Sequence, residues 1–117
     1  MNGEELEQQV LQWFEHFHQN PEVSWKEYKT TEKIAEILAA NDVSYRLFDG
    51  IPGLVAEIGS GEEVIAMRAD IDALWQEVDG EMRANHSCGH DANITMALGA
   101  LLKLKDDRYK EFSQKLI

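Results

Sequence analysis

The stretch Val64-Ile65-Ala66-Met67-Arg68-Ala69-Asp70-Ile71-Asp72 decides how this chain is read, because its most apolar strand-like segment runs straight into a pair of carboxylates. Val64 to Arg68 reads as a strand. In an α/β sheet, polar residues just past the C-terminal end of a strand stand where such folds build their sites. The period of two puts Asp70 and Asp72 on one side if the strand continues. From there, one of them can orient a neighbouring imidazole. An ion pair between Arg68 and Asp70 at a loop mouth is the plainer alternative.

Working outward, Leu54 to Ile58 and Val43 to Phe48 also read as strands. Gly59-Ser60-Gly61 and the turn cluster Asp49-Gly50-Ile51-Pro52-Gly53 divide them. Ahead of them lie two helical patterns. Leu6, Val10, Trp13, Phe14 and Phe17 recur at helical spacing and predict a helix from about Glu4 to Phe17. Asn20-Pro21-Glu22 breaks it, since the residue before a proline avoids helical angles. Ser24-Trp25-Lys26-Glu27 has the form of a capping box and predicts the start of a second helix. Tyr28, Thr31, Ile34, Ala35 and Leu38 give that helix its buried stripe, and Asn41 ends it.

Beyond Asp72, the polar stretch from Gln76 to Asn85 shows no periodicity. Ile94, Ala97, Leu98, Leu101 and Leu102 predict a third helix over roughly Asp91 to Leu104. Leu116-Ile117 follow a charged segment and look like the opening of another strand. That would leave a sheet edge exposed, so the chain is expected to be a fragment or a truncated product. There is no internal repeat and no low-complexity linker. The order of helices and strands fits an α/β domain with a central sheet flanked by helices.

The 117 residues suffice for one domain with a modest core, and a hydrophobic fraction of 44% predicts folding rather than disorder. Eleven Lys and Arg against 22 Asp and Glu give a net charge of −11, which argues against nucleic acid or an anionic membrane as partner. No apolar run approaches the roughly 20 residues of a membrane span. The acidic start Met1-Asn2-Gly3-Glu4-Glu5 does not resemble a secretory signal. A single cysteine forms no internal disulfide and suits a reducing, cytoplasmic setting.

That cysteine lies in His86-Ser87-Cys88-Gly89-His90-Asp91. Cys88 and His90 flank a glycine that lets the backbone turn, so both side chains can face one point. Thiolate and imidazole suit zinc, with manganese, cobalt or nickel as alternatives. Two ligands fall short of the about three plus water of a catalytic site. His86 joins them only with strain, and His16 and His18 belong to another helix. By spacing alone, a metal site and a helix-capping loop with a reactive thiol stand level, and an inert buried thiol is the commoner fate of a lone cysteine. His18-Gln19-Asn20-Pro21-Glu22 reads on its own as a helix-ending loop.

Together, Phe17-His18-Gln19-Asn20-Pro21-Glu22, Arg68-Ala69-Asp70-Ile71-Asp72-Ala73-Leu74 and Cys88-Gly89-His90-Asp91, in this order, resemble the aminoacylase branch of the metallo-peptidase and amidohydrolase family. That branch includes hippurate hydrolases and auxin-conjugate hydrolases. The resemblance implies hydrolysis of amide bonds in N-acyl amino acids or small peptides. Two divalent metal ions polarise the carbonyl and activate water, and a glutamate acts as general base. It assigns Cys88 and His90 as metal ligands, Asp70 as the supporting acid after the strand, and Asp91 as a hydrogen-bonding support. It also implies that residues 1–117 are the N-terminal portion of the catalytic domain. The glutamate pair, the remaining histidine ligands and a lid or dimerisation domain then lie further on, the full-length protein is a homo-oligomer, and this chain alone is inactive. A non-catalytic metal-binding or interaction fragment is the alternative. Two positions depart from the family pattern: Trp75 stands where proline is frequent, and Asn93 where histidine is usual. Trp75 with His86-Ser87 is similar to the aminobenzoyl-glutamate hydrolase-like subgroup.

Overall fold

The computed structural model describes residues 2–106 and the backbone of residues 114–116. Helix α1 spans Gly3–Gln19. It starts earlier than the apolar stripe alone predicts because Asn2, in extended backbone, accepts the Glu5 N–H on its side-chain oxygen at 2.9 Å. Glu4 and Glu5 in the first turn complement the helix dipole.

Helix α2 spans Tyr28–Ala40, so the predicted capping box at Ser24 does not form. The carboxylate of Glu22 takes over the role. It accepts the Thr30 N–H at 2.5 Å, the Thr30 hydroxyl at 2.6 Å and the Lys29 N–H at 3.3 Å. A negative charge on the unpaired amides of a first turn is a strong cap. Ser24 sits too far ahead of the helix to reach those amides, and Trp25 behind it has a φ of 69°. At the far end Asn41 and the left-handed Asp42 close the helix, and the Val43 N–H bonds back to the Leu38 carbonyl at 2.9 Å. Tyr28, predicted to be buried, is 57% exposed.

Strands β1 (Ser44–Leu47) and β2 (Leu54–Gly59) form an antiparallel hairpin with Leu47 opposite Leu54. β3 covers only Glu63–Ile65, and residues 66–72 run on outside any ladder. β4 (Leu74–Val78) and β5 (Glu81–Asn85) make a separate antiparallel hairpin. Helix α3 spans His90–Asp106, and β6 spans Gln114–Leu116. The larger sheet runs β1-β2-β6-β3. The strand expected to open at Leu116 therefore lies between β2 and β3, antiparallel to one and parallel to the other. Ile117 is outside the described residues. The polar stretch read as aperiodic is the β4–β5 hairpin. Its alternation is hidden because most of its residues face solvent on both sides. The turn at Asp79-Gly80, with φ values of 53° and 84°, is the Asp-Gly signal of a two-residue hairpin loop.

The core joins the three helices to the sheet through Trp13, Phe17, Ile34, Ile37, Leu38, Val43, Ile58, Ile94, Leu98, Leu101 and Leu102. Phe17 and Leu38 are each 1% exposed. Gly99 lets α1 come close to α3, since a Cβ there would meet Val10 Cγ2 at 3.1 Å. At the opposite end Lys105 Nζ donates to the Asn41 carbonyl at 2.6 Å and ties α3 to the close of α2. Among the described residues, no helix is long and apolar enough to cross a membrane.

Truncating Leu38 to Ala empties a site at the junction of α2 and the sheet and is expected to lower unfolding free energy by about 2–5 kcal/mol. Gly80→Ala, at a left-handed turn position with open space around it, is expected to cost only about 1 kcal/mol. Urea denaturation followed by circular dichroism checks both values and their order.

Candidate metal centre

Residues 66–72 leave the sheet and are caught by the loop between α1 and α2. The Ala73 N–H donates to the Glu22 carbonyl at 2.7 Å, and Val23 and Ala73 form a parallel bridge. Ala73 is buried, so this crossing is fixed from both sides. It sets the direction of the preceding residue, Asp72.

Asp72 is the hub of the polar cluster. Its Oδ2 accepts the Ser24 hydroxyl at 2.5 Å, and its Oδ1 accepts His90 Nδ1 at 2.9 Å. Its backbone carbonyl also lies 2.9 Å from His90 Nδ1 and accepts the Cys88 thiol at 3.7 Å. The Ser24 hydrogen bond holds the Asp72 carboxyl below the usual carboxylate range; partial burial opposes the shift and the His90 contact adds to it. Both partners of His90 Nδ1 are acceptors only, so that nitrogen carries the ring proton. In the neutral ring Nε2 then keeps its lone pair, which is the state a metal-ligating imidazole requires.

Cys88 and His90 are brought to one place by Gly89, whose φ of 90° begins the turn into α3. Nothing lies within 4 Å of a Cβ placed there, so the glycine serves the backbone angle and not a tight contact. Gln76 braces the loop from the hairpin side, donating to Asn85 Oδ1 at 3.0 Å and Ser87 Oγ at 2.8 Å.

Asp91, the next residue, is buried and turned the other way. Its Oδ2 accepts His18 Nδ1 at 2.7 Å, and its Oδ1 accepts the Ala92 N–H at 2.8 Å. Both carboxylate oxygens are thus engaged within the protein. His18, half-exposed near the end of α1, stacks on Phe14 with ring centroids 5.8 Å apart. His86 is 4% exposed, and neither ring nitrogen has a hydrogen-bond partner among the described residues. Burial pushes its pKa down, with the Asp91 charge partly offsetting, so the ring is held neutral.

The structure brings together Cys88 and His90 but not Asp70. Asp70 pairs with Arg68 at 2.5 Å, and Arg68 is 85% exposed. The strand stops at Ile65, so its period of two no longer decides which way residues 70 and 72 point. Asp72 and Ser24 complete the cluster, and His18 joins it only through Asp91, next to His90 in sequence. Ser24 and His18 come from segments read as a helix cap and a helix-ending loop, and only tertiary packing shows their partners. Asn93 is exposed and Trp75 lies on the outer face of the hairpin. Among the described residues, no three His, Cys, Asp or Glu side chains converge to cage a metal ion. The donor set fits a divalent ion in kind, with an oriented imidazole beside a thiol, and supplies two ligands of the about three that a catalytic site takes.

No family model matches the chain. It is 36% identical over 100 residues to an IAA-amino acid hydrolase, ILR1-like 2, of Arabidopsis thaliana, a match covering 79% of this chain and 23% of that protein. It is 36% identical over 117 residues to the N-acetyl-L-cysteine deacetylase of Bacillus subtilis, covering 92% of this chain and 28% of that one. Among solved structures, a dinuclear metal binding peptidase from the M20 family of Bacillus subtilis superposes with a TM-score of 0.84 at 27% identity, over 97% of this chain and 34% of that one. The fold and these relatives define a part of a metallohydrolase catalytic domain. The chain belongs to the metallo-amidohydrolase family of the aminoacylase and carboxypeptidase kind, and it spans about a quarter of the length of the two curated relatives.

Glu22 both caps α2 and, through its carbonyl, holds the Asp72 segment. Glu22→Ala removes the side-chain cap alone and is expected to destabilise the fold by about 1 kcal/mol. Glu22→Gln, which keeps an acceptor oxygen, is expected to lose less. Thermal melts of the two variants measure the difference.

Proposed function

We propose that the protein carrying this chain is a metal-dependent hydrolase of amide bonds in N-acyl amino acids or small peptides, with Cys88 and His90 among its metal ligands. The observation that carries this reading is the state of His90. Asp72 accepts a hydrogen bond from its Nδ1–H and leaves Nε2 as the lone-pair nitrogen of the neutral ring, near the Cys88 thiol. The names of the relatives, a hydrolase of an amino-acid conjugate and an N-acetyl deacetylase, support the substrate class.

The residues divide the work as follows. Cys88 and His90 hold the divalent ion, of which two are proposed in the full-length enzyme, with zinc, manganese, cobalt or nickel as candidates. When bound, such an ion supplies Lewis-acid polarisation of the scissile carbonyl. Asp72, rather than Asp70, fixes the imidazole. Asp91 steadies the first turn of α3 and, through His18, the end of α1. The remaining ligands and the general base come from outside the described residues, so residues 1–117 act as the N-terminal portion of a catalytic domain. The full-length protein is proposed to be a cytoplasmic homo-oligomer.

Calorimetric titration of the 117-residue chain with zinc tests the ligand assignment. Binding is expected to weaken by at least about tenfold in Cys88→Ala and in His90→Ala. Equal affinity in all three proteins overturns it. The wild-type chain alone is expected to release no amino acid from N-acetyl amino acids beyond the Cys88→Ala control.

A further inference from the structure

We propose that Ser24 is a positioning residue for the metal-facing imidazole: its hydroxyl anchors one oxygen of Asp72 so that the other stays on His90 Nδ1. The proposal rests on the reading of His90 as a metal ligand. A carboxylate held by a single contact can swing about its side-chain torsions and leave that donor. Here each oxygen has its own donor, Ser24 Oγ at 2.5 Å and His90 Nδ1 at 2.9 Å. With both engaged, the orientation of the carboxylate is defined, and its Oδ1 reinforces the Asp72 backbone carbonyl, also 2.9 Å away, as acceptor of the Nδ1 proton.

Ser24 is not placed there by helix formation. The helix it was expected to cap begins four positions later, at Tyr28, and is capped by Glu22. The Ser24 hydroxyl instead reaches across 48 positions of sequence to Asp72. Its backbone is fixed from both sides. On one side, Val23 forms the bridge with Ala73 and Glu22 accepts the Ala73 N–H. On the other, Trp25 adopts a φ of 69°, an angle that bulky residues avoid. The Trp25 indole is 68% exposed, so burial of the ring does not account for the strained angle. Backbone strain of this kind persists where the surroundings enforce it, and here its effect is to turn the chain directly after Ser24. Of the hydroxyls nearby, Thr30 serves Glu22 and Thr31 serves the Glu27 carbonyl, which leaves Ser24 as the group that bridges the loop to the Cys88–His90 turn.

The test compares Ser24→Thr and Ser24→Val, which have the same shape and differ in the hydroxyl. The His90 ring nitrogens of the metal-free 15N-labelled chain are read by long-range proton–nitrogen correlation at about pH 8, where an ordinary imidazole is neutral. Wild type and Ser24→Thr are expected to show one tautomer with the proton on Nδ1. Ser24→Val is expected to show a mixture and to bind zinc about tenfold more weakly, with an unchanged circular dichroism spectrum. If Ser24→Val keeps the single tautomer and wild-type zinc affinity, the proposal is overturned. If Ser24→Thr behaves like Ser24→Val, the hydroxyl is not the agent and the proposal is equally overturned. A wild-type chain that binds no zinc overturns the metal-ligand reading instead, while the tautomer comparison still decides the role of Ser24.

Discussion

The polar half of the molecule depends on one backbone contact, the hydrogen bond from Ala73 N–H to the Glu22 carbonyl. A neutral hydrogen bond of this kind is worth only about 0.5–1.5 kcal/mol net, so its importance is geometric rather than energetic. It brings the segment after β3 against the loop between α1 and α2, and Asp72 then faces Ser24 on one side and the α3 turn on the other. Without that crossing, three motifs distant in sequence would have no reason to meet. With it, the Pro21-Glu22 turn, the Asp72 segment and the Cys88–His90 turn share one small volume. The helices supply the rigidity behind it, through the close approach of α1 and α3 at Gly99 and the core around Phe17 and Leu38.

The parts of this fold written in side-chain periodicity could be read from the sequence. The three helices announce themselves through Trp13 and Phe17, Ile34 and Leu38, and Leu98 and Leu102, all of which are buried. The β4–β5 hairpin did not, because strands solvated on both faces carry no alternation; only Asp79-Gly80 marked it. Sheet order was not legible either. β2 and β3 are adjacent in sequence and would be paired by default, yet β6 separates them. The Ser24 capping box was a local pattern outcompeted by a charged group, since the Glu22 carboxylate neutralises the first turn of α2 better than a hydroxyl.

The site shows the same division. That Cys88 and His90 face one place was legible because their spacing across Gly89 is a local property. Which acid meets the His90 ring was not. Choosing between Asp70 and Asp72 requires knowing where β3 stops, and that is decided by pairing with β6 rather than by residues 66–72 themselves. Arg68, long and exposed, then takes the nearer carboxylate. The burial of His86 has no local signature: the same residue would read identically as a surface histidine, and its lack of a partner among the described residues sets it apart.

The placement of β6 also says something about how the molecule assembles. The β1–β2 hairpin and the packing of α1 on α3 need only the first 106 positions, but the middle of the larger sheet is filled by residues 114–116. Two strands adjacent in sequence, β2 and β3, must therefore be held apart by a lane that the later-made β6 enters. Such non-local closure is slow compared with helix and hairpin formation. During synthesis, β3 would emerge with both of its edges unpaired, and the run from Val64 to Met67 would be open to any extended segment that reached it first. The order of strands thus leaves β3 without its partner from its own translation until β6 arrives.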